Sequence, residues 1–198
     1  MDTNTGNWFS NQKKVSDAIQ NLDSNGEMAE AAITAEHGAG AIGTGTIGAP
    51  QTRRWTENGV IITQIKFDLT GLGVVGTAAN DVIGLAIGVA YIGRYVVATD
   101  GVIYKTELIC LEAPTTGDTD INVVELASAE LIFEANGGTD YVVDGGVAVK
   151  GGIVENFVPA LTANEYWYLT AGASAGGVTG TYATGMFILR IYGHAVLA

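Results

Sequence analysis

A chain of 198 residues, 47% hydrophobic and only 15% charged, can bury one sizeable core and has little charge with which to cover a free surface. Its formal net charge of −12 repels phosphate backbones, and the pairs Lys13-Lys14 and Arg53-Arg54 make no basic patch, which argues against direct nucleic-acid binding. A single cysteine, Cys110, excludes an intrachain disulfide.

The chain opens MDTNTGNWFSNQKK, without a basic start followed by an apolar run, so no signal peptide is expected. The longest apolar stretch, Val82 to Gly93, is too short and too glycine-broken to cross a bilayer, and synthesis in a cytoplasm is the expectation. Ser10 to Leu22 places Val15, Ala18, Ile19 and Leu22 on one helical face, and Asp23-Ser24-Asn25-Gly26 would stop it. Glu27 to Glu36 is rich in alanine and glutamate, a second short helix by propensity. HGAGAIGTGTIGAP then has neither a helical nor a strand period. Residues 1–54 are therefore expected to form an arm of short helices plus a glycine-rich segment, ordered by a neighbour, ahead of a β-domain at 55–198.

From Trp55 the period changes to two. Ile61, Thr63, Ile65, Phe67 and Leu69 alternate with Ile62, Gln64, Lys66 and Asp68, the pattern of a strand buried on one face. NDVIGLAIGVAYIGRYVV is apolar on both faces and predicts strand covered on both sides. Asp100-Gly101 predicts a tight hairpin turn between strands ending at Val97 and starting at Val102. The next strand runs to Leu111 with Tyr104, Thr106, Leu108 and Cys110 on one face, and Glu112-Ala113-Pro114 ends it. Further strands are expected within Ile121 to Glu134, where Glu125 interrupts the apolar face, and at Tyr141 to Val143. Weaker signals lie at Val147 to Val149 and Ile153 to Val158, and clear ones at Tyr166 to Thr170 and Thr184 to His194. Roughly eight to ten strands with frequent turns and no helix after residue 55 indicate an all-β fold. An antiparallel β-sandwich, jelly-roll-like or Greek-key, with an N-terminal arm is the expected architecture.

The candidate chemistry is sparse. Gly38-Ala39-Gly40-Ala41-Ile42-Gly43 matches G-x-G-x-x-G, but a dinucleotide turn needs a strand before it and a helix after it, and this sequence supplies neither. Gly117 to Asn122 sets three oxygen side chains at alternate positions, like the start of a calcium loop, yet lacks the glycine at position six and the acid at position twelve. A solvated turn is the expectation there. Glu107 with Glu112, or Glu125 with Glu130, are the acid pairs a hydrolase would use, if two faced each other across a cleft. Tyr166, Trp167 and Tyr168 would suit a carbohydrate-binding or adhesion module if they stacked on sugar rings, and a sheet core if they did not. His37 and His194 have no Cys/His/Asp cluster around them. Cys110, inside an apolar alternation, reads as a buried, inert thiol. No catalytic residue, metal ligand or cofactor is assigned.

The segments GAPQTRRWTENGVIITQIKFDLTGL, NDVIGL, AYIG, IYKTELICLEAP, DINVV, YWYLTAG and TYATGMFILRIYGHAVLA resemble a group of small virion structural proteins of tailed marine bacteriophages. The resemblance spans about Gly48 to Ala198 and rests on strand-and-turn patterns. It implies a structural component of the particle, a capsid decoration or cement protein made in the host cytoplasm, with no activity to carry over. The expected partners are copies of the chain itself, a trimer being the first choice, and the major capsid protein. The contact residues expected from the residue types are Trp8, Phe9, Arg53, Arg54 and Trp55.

Overall fold

The computed structural model describes residues 50–74, 80–85, 89–128, 135–157, 159–172 and 180–195. The amphipathic run found in sequence forms β2 (Val60–Asp68), preceded by β1 (Gln51–Glu57). Asn58 and Gly59 take φ of 50° and 82°, and they turn β1 back along β2. This is the Asn-Gly hairpin turn that positive φ requires. The first strand thus begins four residues before Trp55, because the turn at Asn58-Gly59 gives Gln51–Arg54 a partner in Thr63–Lys66.

β3 (Gly73–Val74), β4 (Tyr91–Arg94), β5 (Val102–Thr115), β6 (Ile121–Leu126), β7 (Tyr141–Val143), β8 (Ile153–Phe157), β9 (Tyr166–Ala171), β10 (Gly180–Thr181) and β11 (Thr184–His194) follow. The strands form a five-stranded sheet in the order β1-β2-β11-β5-β8 and a four-stranded sheet in the order β4-β9-β6-β7, with β3 and β10 as a separate pair. All pairings are antiparallel. They are also nested: β2 pairs with β11, β3 with β10, β4 with β9, β5 with β8 and β6 with β7. The described strands make an antiparallel all-β sandwich, as expected from the sequence.

The expected Asp100-Gly101 hairpin is not there. Val97–Asp100 is a single helical turn, α1, and the strands on either side lie in different sheets. The reason is the Asp100 side chain, which is buried and accepts hydrogen bonds from Val96 N and from Thr63 and Arg54 side chains. Those bonds hold the segment as a crossover, and no second strand is offered to pair with it. β5 also runs past Leu111 and Pro114 to Thr115, paired there with Thr184 of β11. Near its start a register shift against Tyr192 and Gly193 puts Ile103 in the core and turns Tyr104 outward onto His194, ring centroids 4.5 Å apart. The two-sided apolar run at 80–94 makes isolated bridges at Asp81, Val82 and Gly84 before β4, and Val147 bridges Asp120 without forming a strand.

The sheets close on one core. Ile65 and Phe67 of β2 and Leu69 just after it meet Phe187, Leu189 and Ile191 of β11 and Leu108 and Cys110 of β5 on one side. Val123 of β6, Val143 of β7 and Trp167 and Leu169 of β9 come from the other. The Phe67 and Phe187 rings stack at 5.5 Å. Cys110 is buried, as expected, and burial together with the nearby Glu112 raises its pKa. A second cluster, including Val82, Tyr91, Val124 and Tyr168, covers the back of the four-stranded sheet. That sheet is therefore dry on both faces, whereas the five-stranded sheet has one face to water.

Glu125 breaks the apolar face of β6 because it sits at the end of the sandwich, 2% exposed, with Oε1 accepting the Thr162 N–H at 2.8 Å. Its Oε2 is buried without a partner. Burial raises its pKa to about 7 from an ordinary 4.5; the Thr162 N–H works against this, and the charges of Glu165 and Asp140 add to it. The folded state thus holds this proton more tightly than the unfolded chain. This contribution is fully present below pH 4.5 and is lost as pH rises through about 7, by roughly 3 kcal/mol at ~1.4 kcal/mol per unit. Urea denaturation of Glu125→Gln should match the wild type at pH 4.5 and exceed it by roughly 3 kcal/mol at pH 8.

Candidate functional site

The exposed face of the five-stranded sheet is a set of cross-strand rows. One row runs Trp55, Ile62, Tyr192, Lys105, Phe157, and the next Arg53, Gln64, Arg190, Glu107, Glu155. Such directly opposed pairs are where a sheet face gains or loses stability. Lys105 organises the β5–β8 end. Its Nζ lies 2.5 Å from Glu107 Oε1 and 2.5 Å from Glu155 Oε1, and 5.3 Å and 5.2 Å from the Phe157 and Tyr192 ring centroids. The hydrogen bonds that Lys105 donates to Glu107 and Glu155 raise its pKa. Tyr192 donates its O–H to Glu107 Oε2 at 2.7 Å, and Arg190 Nε donates to Gln64 Oε1 at 3.1 Å. Burial pushes Glu107 up, but the bonds from Lys105 and Tyr192 outweigh it and leave its pKa lowered. The polar middle of the face is internally satisfied.

Beyond Lys105 the surface becomes apolar. β8 is the last strand of its sheet, and among the described residues nothing pairs with its outer edge. Ile153 is 59% exposed and Phe157 63%, and in the preceding loop Val147 is 69% and Val149 65% exposed. The loop approaches the core closely: a Cβ on Gly145 would lie 2.0 Å from Ile121 O. Between loop and strand lies an apolar cavity of about 160 Å³, walled by Leu108, Cys110, Ile121 and Phe187 and rimmed by Val147, Val149, Ile153 and Val154. An exposed apolar strip beside an open sheet edge is the feature that calls for a partner.

The residues expected to make contacts fall in different places. Trp8 and Phe9 lie outside the described residues, as do the G-x-G-x-x-G segment, His37 and Glu130. Trp55 is 38% exposed on the open face, and Arg53 is exposed beside it. Arg54 turns inward: Nη2 reaches Asp100 Oδ1 at 2.7 Å and Nε donates to Thr63 Oγ1 at 3.0 Å. It ties β1, β2 and α1 together. The apolar strip on β8 and its loop was not singled out from the sequence; the run Val147, Val149, Ile153 and Val154 reads as ordinary core strand until the topology puts it at an edge.

The candidate chemistry finds no convergence. Trp167 and Tyr168 are fully buried and Tyr166 is half-buried under the Arg94 guanidinium, 5.1 Å from its ring, so the aromatic triplet serves the sheets. Glu107 is held by Lys105 and Tyr192, and Glu112 is exposed. In the 117–122 loop, Asp118 Oδ1 accepts the Asp120 N–H, while Asn122 Oδ1 accepts N–H bonds from Gly145 and Gly146. Two of the three alternate oxygens, those of Asp118 and Asn122, therefore serve the backbone. Among the described residues no three His, Cys, Asp or Glu side chains gather as a metal site, and no helix is long and apolar enough to cross a membrane.

No protein-family model matches the chain, and neither does any curated protein. Among solved structures, the chain is similar to one in the cyanophage Pam1 capsid asymmetric unit, with 16% identity and a TM-score of 0.32. The match covers 75% of this chain and 92% of that one.

The two neighbouring arginines should separate by experiment. Arg54→Met leaves Asp100 charged, buried and short of a partner, and should cost about 3 kcal/mol in urea denaturation. Arg53→Met, on the exposed face, should cost less than about 0.5 kcal/mol in the same assay.

Proposed function

We propose that this chain is a structural protein of a phage particle, a capsid decoration or cement protein that associates with its own copies and with the major shell protein. The observation that carries the reading is the apolar strip beside the open β8 edge, with Phe157 63% and Val147 69% exposed. A chain with so few charges gains solubility from its net −12 but leaves this strip for burial. The strand-and-turn resemblance over Gly48 to Ala198 supports the same reading. A repeated lattice suits a protein of this kind, because modest contacts multiplied over many linked copies give tight attachment. Closed symmetry, with a trimer preferred, would also cover the sheet edge.

Residues 1–49 precede the hairpin that starts the first sheet and are the part of the chain assigned to reach a neighbour. The exposed Trp55 is assigned to the same contact. Particles purified from the encoding phage should contain the chain in a fixed ratio to the shell protein, as read by quantitative mass spectrometry. Its absence from such particles overturns the proposal. A chain lacking residues 1–49 should keep its melting temperature within a few degrees and fail to load onto particles; undiminished loading would remove the arm from the mechanism.

A further inference from the structure

We infer that the acidic segment 17–36 of this chain docks on a cationic patch of its own five-stranded sheet, formed on the open face by Arg53, Lys66 and Arg190. The inference concerns the chain by itself and does not rest on its place in a particle.

The patch follows from register. Arg53, Gln64 and Arg190 stand side by side on β1, β2 and β11, and Lys66 is two residues from Gln64 on the same face. At about 4.8 Å between strands and ~3.4 Å per residue, the three cations lie within roughly 10 Å of one another at the backbone. They are three of the nine Lys and Arg on a chain of net charge −12. Among the described residues neither Lys66 nor Arg190 makes an ion pair. The acids beside them are engaged elsewhere: Glu107, opposite Arg190, by Lys105 and Tyr192, and Asp68 by the Thr70 N–H. Like charges set together on a sheet face cost stability until an anion joins them.

Charge selects the occupant. Residues 15–52 contain Asp17, Asp23, Glu27, Glu30 and Glu36 and no Lys or Arg. Salt limits the pull of the patch to ~8–10 Å. A long polyanion would extend past that range and meet the rest of an acidic surface, whereas a short acidic segment stays on the patch.

Chain length selects the copy. β1 starts at Gln51, opposite Lys66, so the chain enters the sheet at the rim of the patch. Residues 37–50, HGAGAIGTGTIGAP, carry no Asp, Glu, Lys or Arg and separate Glu36 from Gln51. Fourteen residues can span about 48 Å, and all three cations lie within ~12 Å of Gln51 at the backbone, so the tether reaches with length to spare. It presents the acids at an effective concentration on the order of millimolar, far above that of separate copies in dilute solution. The chain's own segment therefore takes the site first. Residues 1–16, with Trp8 and Phe9, stay available for a neighbour.

The test uses the full-length chain in dilute, low-salt solution. Carbodiimide, which condenses a carboxylate with a lysine amine, should link Lys66 to an acid of 17–36, with the Lys105–Glu155 link as internal control. In a mixture of isotope-labelled and unlabelled chain, mass spectrometry should find the Lys66 links within one label. Glutamyl-specific cleavage at Glu27, Glu30 and Glu36 should be about tenfold slower in the wild type than in Lys66→Gln/Arg190→Gln, and ~0.5 M salt should close the gap. The inference is overturned by Lys105–Glu155 links without Lys66 links, by Lys66 links of mixed label, or by equal cleavage of variant and wild type. The cross-link is read on the unaltered chain, so it decides the matter should the variant fail to fold. Absence of the chain from particles would sink the proposed function and leave this contact standing.

Discussion

The fold depends on β11 being held along both edges. It pairs with β2 from Met186 to His194 and with β5 over nearly the same span. The β2 pairing is the outermost long rung of the nested ribbon. The β5 pairing is lateral and joins strands that lie far apart in sequence. With β11 fixed between them, Phe67, Phe187 and Cys110 fall on one face at one level, and the four-stranded sheet has a surface to pack against. Sequence-distant pairings of this kind are costly to form, since the loop closure precedes the gain. The stacked Phe67 and Phe187 sit on directly opposed positions and offset part of that cost.

Much of this could be read from the residues. The alternation in Val60–Asp68 and Thr184–His194 assigns inward and outward faces correctly, because a strand half-exposed to water keeps a period of two. The four-stranded sheet was harder, since both of its faces are dry and its strands lose the alternation. Glu125 illustrates the difficulty: it is an apparent solvent residue in an inward position, tolerated because a backbone N–H from Thr162 reaches it. Asp100-Gly101 failed as a turn signal for a tertiary reason. Its carboxylate binds Arg54 and Thr63 on strands more than thirty residues earlier, which no local rule can see. Asn58-Gly59, by contrast, is a local Asn-Gly turn, although the arm was expected to run to residue 54 and no strand was expected before Trp55.

The candidate surface was the least legible part. Apolar residues in a chain of this composition are assigned to the core by default, and period alone cannot tell an edge strand from a central one. Trp55 and Arg53 were found on the open face by residue type, but the same reasoning took Arg54 for a contact residue when it is an internal tie. The distinguishing feature is register: Arg54 is opposite Thr63, on the inward face, one residue out of phase with Trp55 and Arg53.

The two ends of the five-stranded sheet are treated differently, and the difference has physical meaning. β1, at one end, carries Gln51, Arg53 and Glu57 as exposed residues and ends in a tight hairpin. Charged side chains on an edge discourage further pairing. β8, at the other end, exposes Ile153, Val154 and Phe157, and its acid, Glu155, is drawn back toward Lys105 of the neighbouring strand. An edge whose charge is tethered inward and whose apolar groups point outward has lost the protection that β1 retains. Left in water, it would invite indiscriminate pairing; a chain that keeps one edge guarded and the other bare is suited to a contact in which the bare edge is consumed.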